Sequence, residues 1–132
     1  MLKRLLILLF MLSMLSACQT LGERQRAQSL QDILRSYEAT MRWSSGQQAA
    51  KFKLAEHADT TVKPVRKDIK VTHYEVVQGP SMLGDKRAVQ IAVIQYVFQD
   101  SQIVKEITDQ QEWLYDEEKE IWYLNSPVPD FN

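Results

Sequence analysis

Apolar residues follow three different rhythms along this chain. Residues 5–17, "LLILLFMLSMLSA", are apolar throughout but for two serines and uncharged, behind Lys3 and Arg4. Further on, Leu30, Ile33, Leu34, Tyr37 and Met41 recur at i, i+3, i+4, i+7 and i+11, one stripe of an amphipathic helix. Ser29 stands where an N-cap is expected, with Asp32 in the first turn. A break at Ser44 to Gly46 leads into a second helix of about ten residues, with Ser45 and Gln48 as a capping box and Ala49, Ala50, Phe52 and Leu54 turned inward.

After the connector "DTTVKPVRK", interrupted by Pro64, the period shortens to two. Residues 68–78 set Ile69, Val71 and His73 on one face of a strand, and a bulge near His73 would bring Tyr74 and Val76 into the apolar set. "GPSMLGD" reads as a turn. "KRAVQIAVIQYVFQD" is apolar on both faces, the pattern of a central strand covered on two sides. "SQIVKEITDQQEWLYD" intersperses Lys105, Asp109 and Gln111 among Ile103, Ile107, Trp113 and Tyr115. A turn at Glu117 and Glu118 would set Asp116 against Lys119 and Trp113 against Trp122 in "EIWYLN", before two prolines end the strand. Helices followed by hairpin-linked strands specify an α+β domain.

The N-terminal pattern has a separate meaning. Two basic residues, an uncharged apolar run of about thirteen residues and small residues at its end make a secretory leader, and the run falls short of the roughly twenty residues a membrane-spanning helix needs. It closes with Leu15-Ser16-Ala17-Cys18, which resembles the lipobox of bacterial lipoproteins. The resemblance implies cleavage before Cys18, thioether-linked diacylglycerol on its sulfur and residence in the cell envelope. Gln19, where aspartate would imply retention at the inner membrane, implies the outer membrane facing the periplasm. Residues 1–17 are then signal peptide, 18–28 the lipidated cysteine and a flexible tether reaching roughly 16 to 19 Å, and 29–132 the working domain.

The 132 residues allow one core. The whole chain has a formal charge of −1, with 16 basic against 17 acidic residues. The leader removes two basic residues and no acid, leaving −3 on residues 18–132, a balance that points away from nucleic acid. Cys18 is the single cysteine, so no internal disulfide supports the domain.

"SYEATMRWSSGQQAAKF" together with "QQEWLYDEEKEIWYLNSPVPDF" resembles small proteobacterial lipoproteins with an NTF2-like (cystatin-like superfamily) domain. That resemblance implies N-terminal helices packed on the concave face of a strongly curved antiparallel sheet, a cone with a pocket, and pairing through the sheet's outer face.

Chemistry is sparse. His57 and His73 lack metal-ligand spacing, and no metal or cofactor is implied. His73 could serve as a general base in the pocket with Asp109 as its orienting acid, the arrangement of a small lyase or isomerase. Trp43, Trp113, Trp122, Tyr115 and Tyr123 suit either core closure or an aromatic binding surface. The acidic run Asp116–Glu120 lacks calcium-loop spacing, and the basic cluster Lys63–Lys70 could touch lipid headgroups. With no nucleotide or hydrolase signature, the sequence favours a non-enzymatic envelope module. Its partners would be the membrane through Cys18 and a small apolar ligand or an envelope protein. A His73–Asp109 enzyme and a structural homodimer are the alternatives.

Overall fold

The computed structural model describes residues 1–57 and 66–132, the side chains of residues 8 and 11–19 excepted. The connector around Pro64 and the first part of the basic cluster, Lys63 included, lie outside the described residues, as does the side chain of Cys18. The chain forms two compact units, Met1–Asp32 and Ile33–Asn132.

The first unit is helical. Helix α1 spans Leu2–Ser44, and its last turns, from Ile33 on, belong to the second unit. Leu2, Leu5, Leu6, Ile7, Leu9 and Phe10 are exposed. Residues 20–28, expected to be a flexible spacer, are helix, because Glu23, Arg24, Gln25, Arg26, Ala27 and Gln28 are nearly all good helix formers and Gly22 alone does not stop the run. Ser29 accordingly caps nothing. It sits inside α1 and its hydroxyl donates back to the Arg26 carbonyl at 2.9 Å. Among the described residues no helix is long and apolar enough to cross a membrane.

In the second unit the end of α1 buries Leu34, Tyr37 and Met41, as their spacing predicts. The break after Ser44 is real, with Ser45 at φ 50° and Gly46 at φ 76°. Beyond it the chain makes two 3-10 turns, Ala49–Phe52 and Ala55–His57, in place of the longer helix expected there. Ser45 is drawn away from capping, since its Oγ accepts a bond from the Val71 N–H at 3.4 Å, while Gln48 precedes the first turn without a side-chain cap. Of the residues expected to turn inward, Ala49, Phe52 and Leu54 are buried, whereas Ala50 is exposed, because a tight 3-10 turn does not keep 49 and 50 on one face.

Four strands complete the described chain: β1 Ile69–Met82, β2 Arg87–Phe98, β3 Lys105–Asp116 and β4 Ile121–Leu124. They pair antiparallel in the order β1-β2-β3-β4. This corrects the expectation of an NTF2-like cone, for the sheet is an open, uncurled meander with β1 and β4 as its two ends. Strong curvature requires bulges repeated across a sheet. Here β2 and β3 pair without interruption from Arg87–Leu114 to Tyr96–Lys105, and the register shifts are confined to the β1–β2 pairing. The NTF2-like and cystatin-like assignment fails on that point.

The bulge expected near His73 lies between Val71 and His73 and does bring Tyr74 inward, at 3 % exposure; Val76 stays out, at 41 %. β1 also runs through Gly79 and Pro80, which the sequence assigned to a turn; proline is tolerated there because β1 is an edge strand. In β2 one face, Ala88 to Tyr96, is buried and the other, Val89 to Val97, only half-buried, so the strand is central but covered fully on one side.

Tyr37, Phe52 and Trp113 meet edge to face with centroids 5.3, 5.4 and 6.1 Å apart, joining α1, the first 3-10 turn and β3. The C-terminal segment closes the other end. Phe131 is buried, packs edge-on against Tyr96 at 5.0 Å and lies over Gly46, where an added Cβ would fall 2.8 Å from its ring.

Candidate functional site

Residues 105, 107, 109, 111, 113 and 115 share one face of β3, and that face turns toward α1. Asp109 and Gln111 therefore enter the core, at 3 % and 2 % exposure. The uninterrupted register sets Gln111 beside Gln90 and Asp109 beside Ala92. Around them a continuous polar network forms. Gln111 Nε2 donates to Asp109 Oδ2 and to Tyr74 Oη, both at 2.8 Å. Its Oε1 accepts from Gln90 Nε2 and from Trp113 Nε1, both at 3.2 Å. Tyr37 Oη, from α1, donates to Asp109 Oδ2 at 3.0 Å. Both hydrogens and both lone pairs of the Gln111 amide are thus engaged.

The electrostatics are set by that burial. Desolvation raises Asp109 from its ordinary 3.8 to about 6, against the opposing pull of the bonds from Gln111 and Tyr37. Burial raises Tyr74 to about 12 and pushes Tyr37 well above its usual range, helped there by the Asp109 charge. Among the described residues no buried side-chain nitrogen or oxygen is left without a partner. A network of this kind joins a helix to a sheet.

The two residues considered as a base–acid pair are not brought together. His73 pairs with Gln95 and Asp109 with Ala92, positions of opposite parity on β2, so their side chains lie on opposite faces of the sheet. His73 is half exposed, and its Nε2 stands 3.8 Å from Glu75 Oε2. Among the described residues no group of three or more His, Cys, Asp or Glu side chains is placed to hold a metal ion.

The outer face carries an accessible feature. A groove of about 550 Å³ opens there, floored by Val89 and Ile91 and rimmed by Gln78, Gln110, Asn125, Ser126 and Pro127. Glu112, the charged residue among those described in its lining, is neutralised in place: Arg87 Nε donates to Oε2 at 2.9 Å and Asn125 Nδ2 to Oε1 at 2.6 Å. Those two contacts, the Asn125 bond first, hold the Glu112 carboxyl below its ordinary range. The groove therefore presents amides and hydroxyls over an apolar floor and suits an uncharged occupant.

No family model, curated protein or solved structure matches this chain.

Of the aromatic candidates, Trp113 and Trp122 are core, at 0 % and 4 % exposure, and Tyr115 packs on Trp122 at 5.2 Å. Trp43 is 87 % exposed at the end of α1, apart from that core. The hairpin register is also two residues away from the expected one. Asp116 pairs with Ile121 and Trp113 with Leu124, because the loop is Glu117–Glu120, with Glu120 at φ 54°. Asp116 builds that loop, its Oδ1 accepting from the N–H groups of Glu118 and Lys119 at 2.9 and 3.0 Å. The acidic run is a capped turn.

Sequence reasoning singled out Asp109 but missed its partners Tyr37, Tyr74, Gln90 and Gln111 as a set. The visible signal was the polar pair Asp109 and Gln111 at the spacing of the apolar Ile107 and Trp113, since two polar groups on a core face require partners there.

Proposed function

We propose that the chain is an envelope lipoprotein whose second unit is a non-enzymatic interaction module, held at the outer membrane on the periplasmic side by lipid on Cys18. The observation that carries the anchor is Leu15-Ser16-Ala17-Cys18 closing an uncharged apolar run behind Lys3 and Arg4. Each buried CH₂ of an acyl chain is worth about 0.8 kcal/mol and stable attachment needs more than one chain, a need that a diacylated cysteine meets. The module reading is supported by the saturated network around Asp109, the separation of His73 from it, and an accessible groove with neutral lining.

The test is expression with the native leader in a diderm bacterium, in the presence of labelled palmitate. The parent chain is expected to take up label and to fractionate with the outer membrane, and Cys18→Ser to take up none. Label on Cys18→Ser, or none on the parent, overturns the anchor. A catalytic reading would regain ground only if a His73→Ala chain lost a measurable envelope phenotype that Trp43→Ala kept.

A further inference from the structure

Two rows of paired residues build the outer groove. Gln78 on β1 and Gln110 on β3 both lie opposite Ile91 on β2, so one row sets an apolar side chain between two amides. Strand spacing of about 4.7 to 4.9 Å places the two glutamine backbones roughly 10 Å apart. In the next row Val89 lies opposite Glu112, with Asn125 and Ser126 beyond it. Gln78 and Gln110 are exposed, and among the described residues their side-chain amides make no hydrogen bond. Asn125 gives its Nδ2 to Glu112 Oε1, which leaves its Oδ1 to accept, and Ser126 Oγ accepts from the Glu112 N–H, which leaves its O–H to donate. Donors and acceptors thus surround a floor of two half-buried aliphatic side chains.

We propose that this groove binds a short neutral saccharide, with the hydrogen-bearing face of a sugar ring on Val89 and Ile91 and its edge hydroxyls bonded to Gln78, Gln110, Asn125 and Ser126. This ligand rests on the reading of the second unit as a non-enzymatic interaction module, and not on acylation of Cys18. A pyranose has the same layout as the groove, apolar on its faces and ringed by hydroxyls that each donate and accept. Other ligand classes fit it less well. A charged molecule would find no free counter-charge in the described lining, since Glu112 is held by Arg87 and Asn125. An acyl chain would bury the two glutamine amides without partners. A peptide would lie across the face of the sheet, where β2 offers it no backbone groups because its ladder is shared between β1 and β3. The volume of about 550 Å³ lies within the range of small-molecule sites.

The test is isothermal titration of the purified full chain, in a detergent without a sugar headgroup, with cellobiose, whose rings carry hydroxyls at their edges and hydrogens on their faces. Sorbitol supplies hydroxyls without a ring face, glucuronate a ring with a charge, and an uncharged tripeptide blocked at both ends the peptide alternative. Cellobiose is expected to bind with millimolar affinity, as suits an open site with few fixed polar groups, and the other three more weakly. Gln78→Ala and Gln110→Ala, both at exposed positions, are each expected to weaken cellobiose binding about 2- to 10-fold, the range of one hydrogen bond, with the unfolding midpoint unchanged. Absence of cellobiose binding, equal binding of sorbitol or glucuronate, or full affinity in both glutamine variants would overturn the saccharide. Tighter binding of the blocked tripeptide would overturn it in favour of a peptide. Release of glucose from bound cellobiose would instead defeat the non-enzymatic reading and leave the ligand class standing.

Discussion

Replacing Asp109 with asparagine should stabilise the second unit at neutral pH. Asp109 is 3 % exposed, and burial raises its carboxyl from 3.8 to about 6. Because the folded state binds the proton more tightly than the unfolded state, stability is greatest below the unfolded value and falls as pH rises through the folded one. The window runs from about pH 4 to about pH 6. A shift of roughly two units at 1.36 kcal/mol each corresponds to about 3 kcal/mol lost across it. Asparagine reproduces the neutral acid: its carbonyl oxygen can accept from Tyr37 Oη and Gln111 Nε2 in place of Oδ2. The groups facing this carboxyl, Tyr37, Tyr74, Gln90 and Gln111, do not titrate in the window. Urea denaturation of the parent and Asp109→Asn chains at steps from pH 4 to pH 8 reads the effect. The difference between the two chains cancels the exposed carboxylates. The expected result is near-equal stability at pH 4 and a variant more stable by up to about 3 kcal/mol at pH 7. A variant less stable at pH 7, or a difference that does not change with pH, would refute the reasoning and show that the carboxylate itself holds the helix to the sheet.

Packing dictates three further outcomes. Phe131→Ala removes a buried ring lying on Tyr96 and Gly46 and should cost about 3 to 5 kcal/mol in denaturant unfolding, whereas a cost under about 1 kcal/mol would mean the C-terminal segment is not part of the core. Gly79→Ala puts a Cβ 2.7 Å from the Val89 carbonyl oxygen at φ 95° and should lower the thermal midpoint, by the equivalent of about 1 to 3 kcal/mol or more; an unchanged midpoint would contradict the close approach of β1 to β2 there. Trp43→Ala, at a fully solvated position, should change stability by no more than about 0.5 kcal/mol, and a larger loss would reveal a contact that the fold does not contain.

The strands were largely legible because their periods are local. β2 and β3 show in the alternation of Val, Ile and aromatic residues, and the bulge that admits Tyr74 shows in the change of phase after Val71. What was not legible depended on competition between local signals and distant partners. Ser29 has the form of a cap, but the good helix formers before it carry α1 straight through. Ser45 has the form of a cap as well, but its hydroxyl is taken by β1 across the core. The hairpin register turned on one side chain, because Asp116 bonding to two loop N–H groups favours four loop residues over two. The curved cone was inferred from element order and aromatic placement, and neither encodes curvature; the bulges that do are absent from β2 and β3. In the same way Asp109 could be seen to face the core. That His73 faces away could not be settled before the register was known, since the bulge before it reverses the phase of β1.

The proposed anchor requires that residues 1–17 be removed and that Cys18 carry lipid. Intact mass and N-terminal peptide mass spectrometry of the chain expressed with its own leader test it most directly. The expected result is a mature chain beginning at Cys18 with a diacylglyceryl group on sulfur. An unmodified Cys18 thiol, or a chain that begins anywhere else, would contradict it.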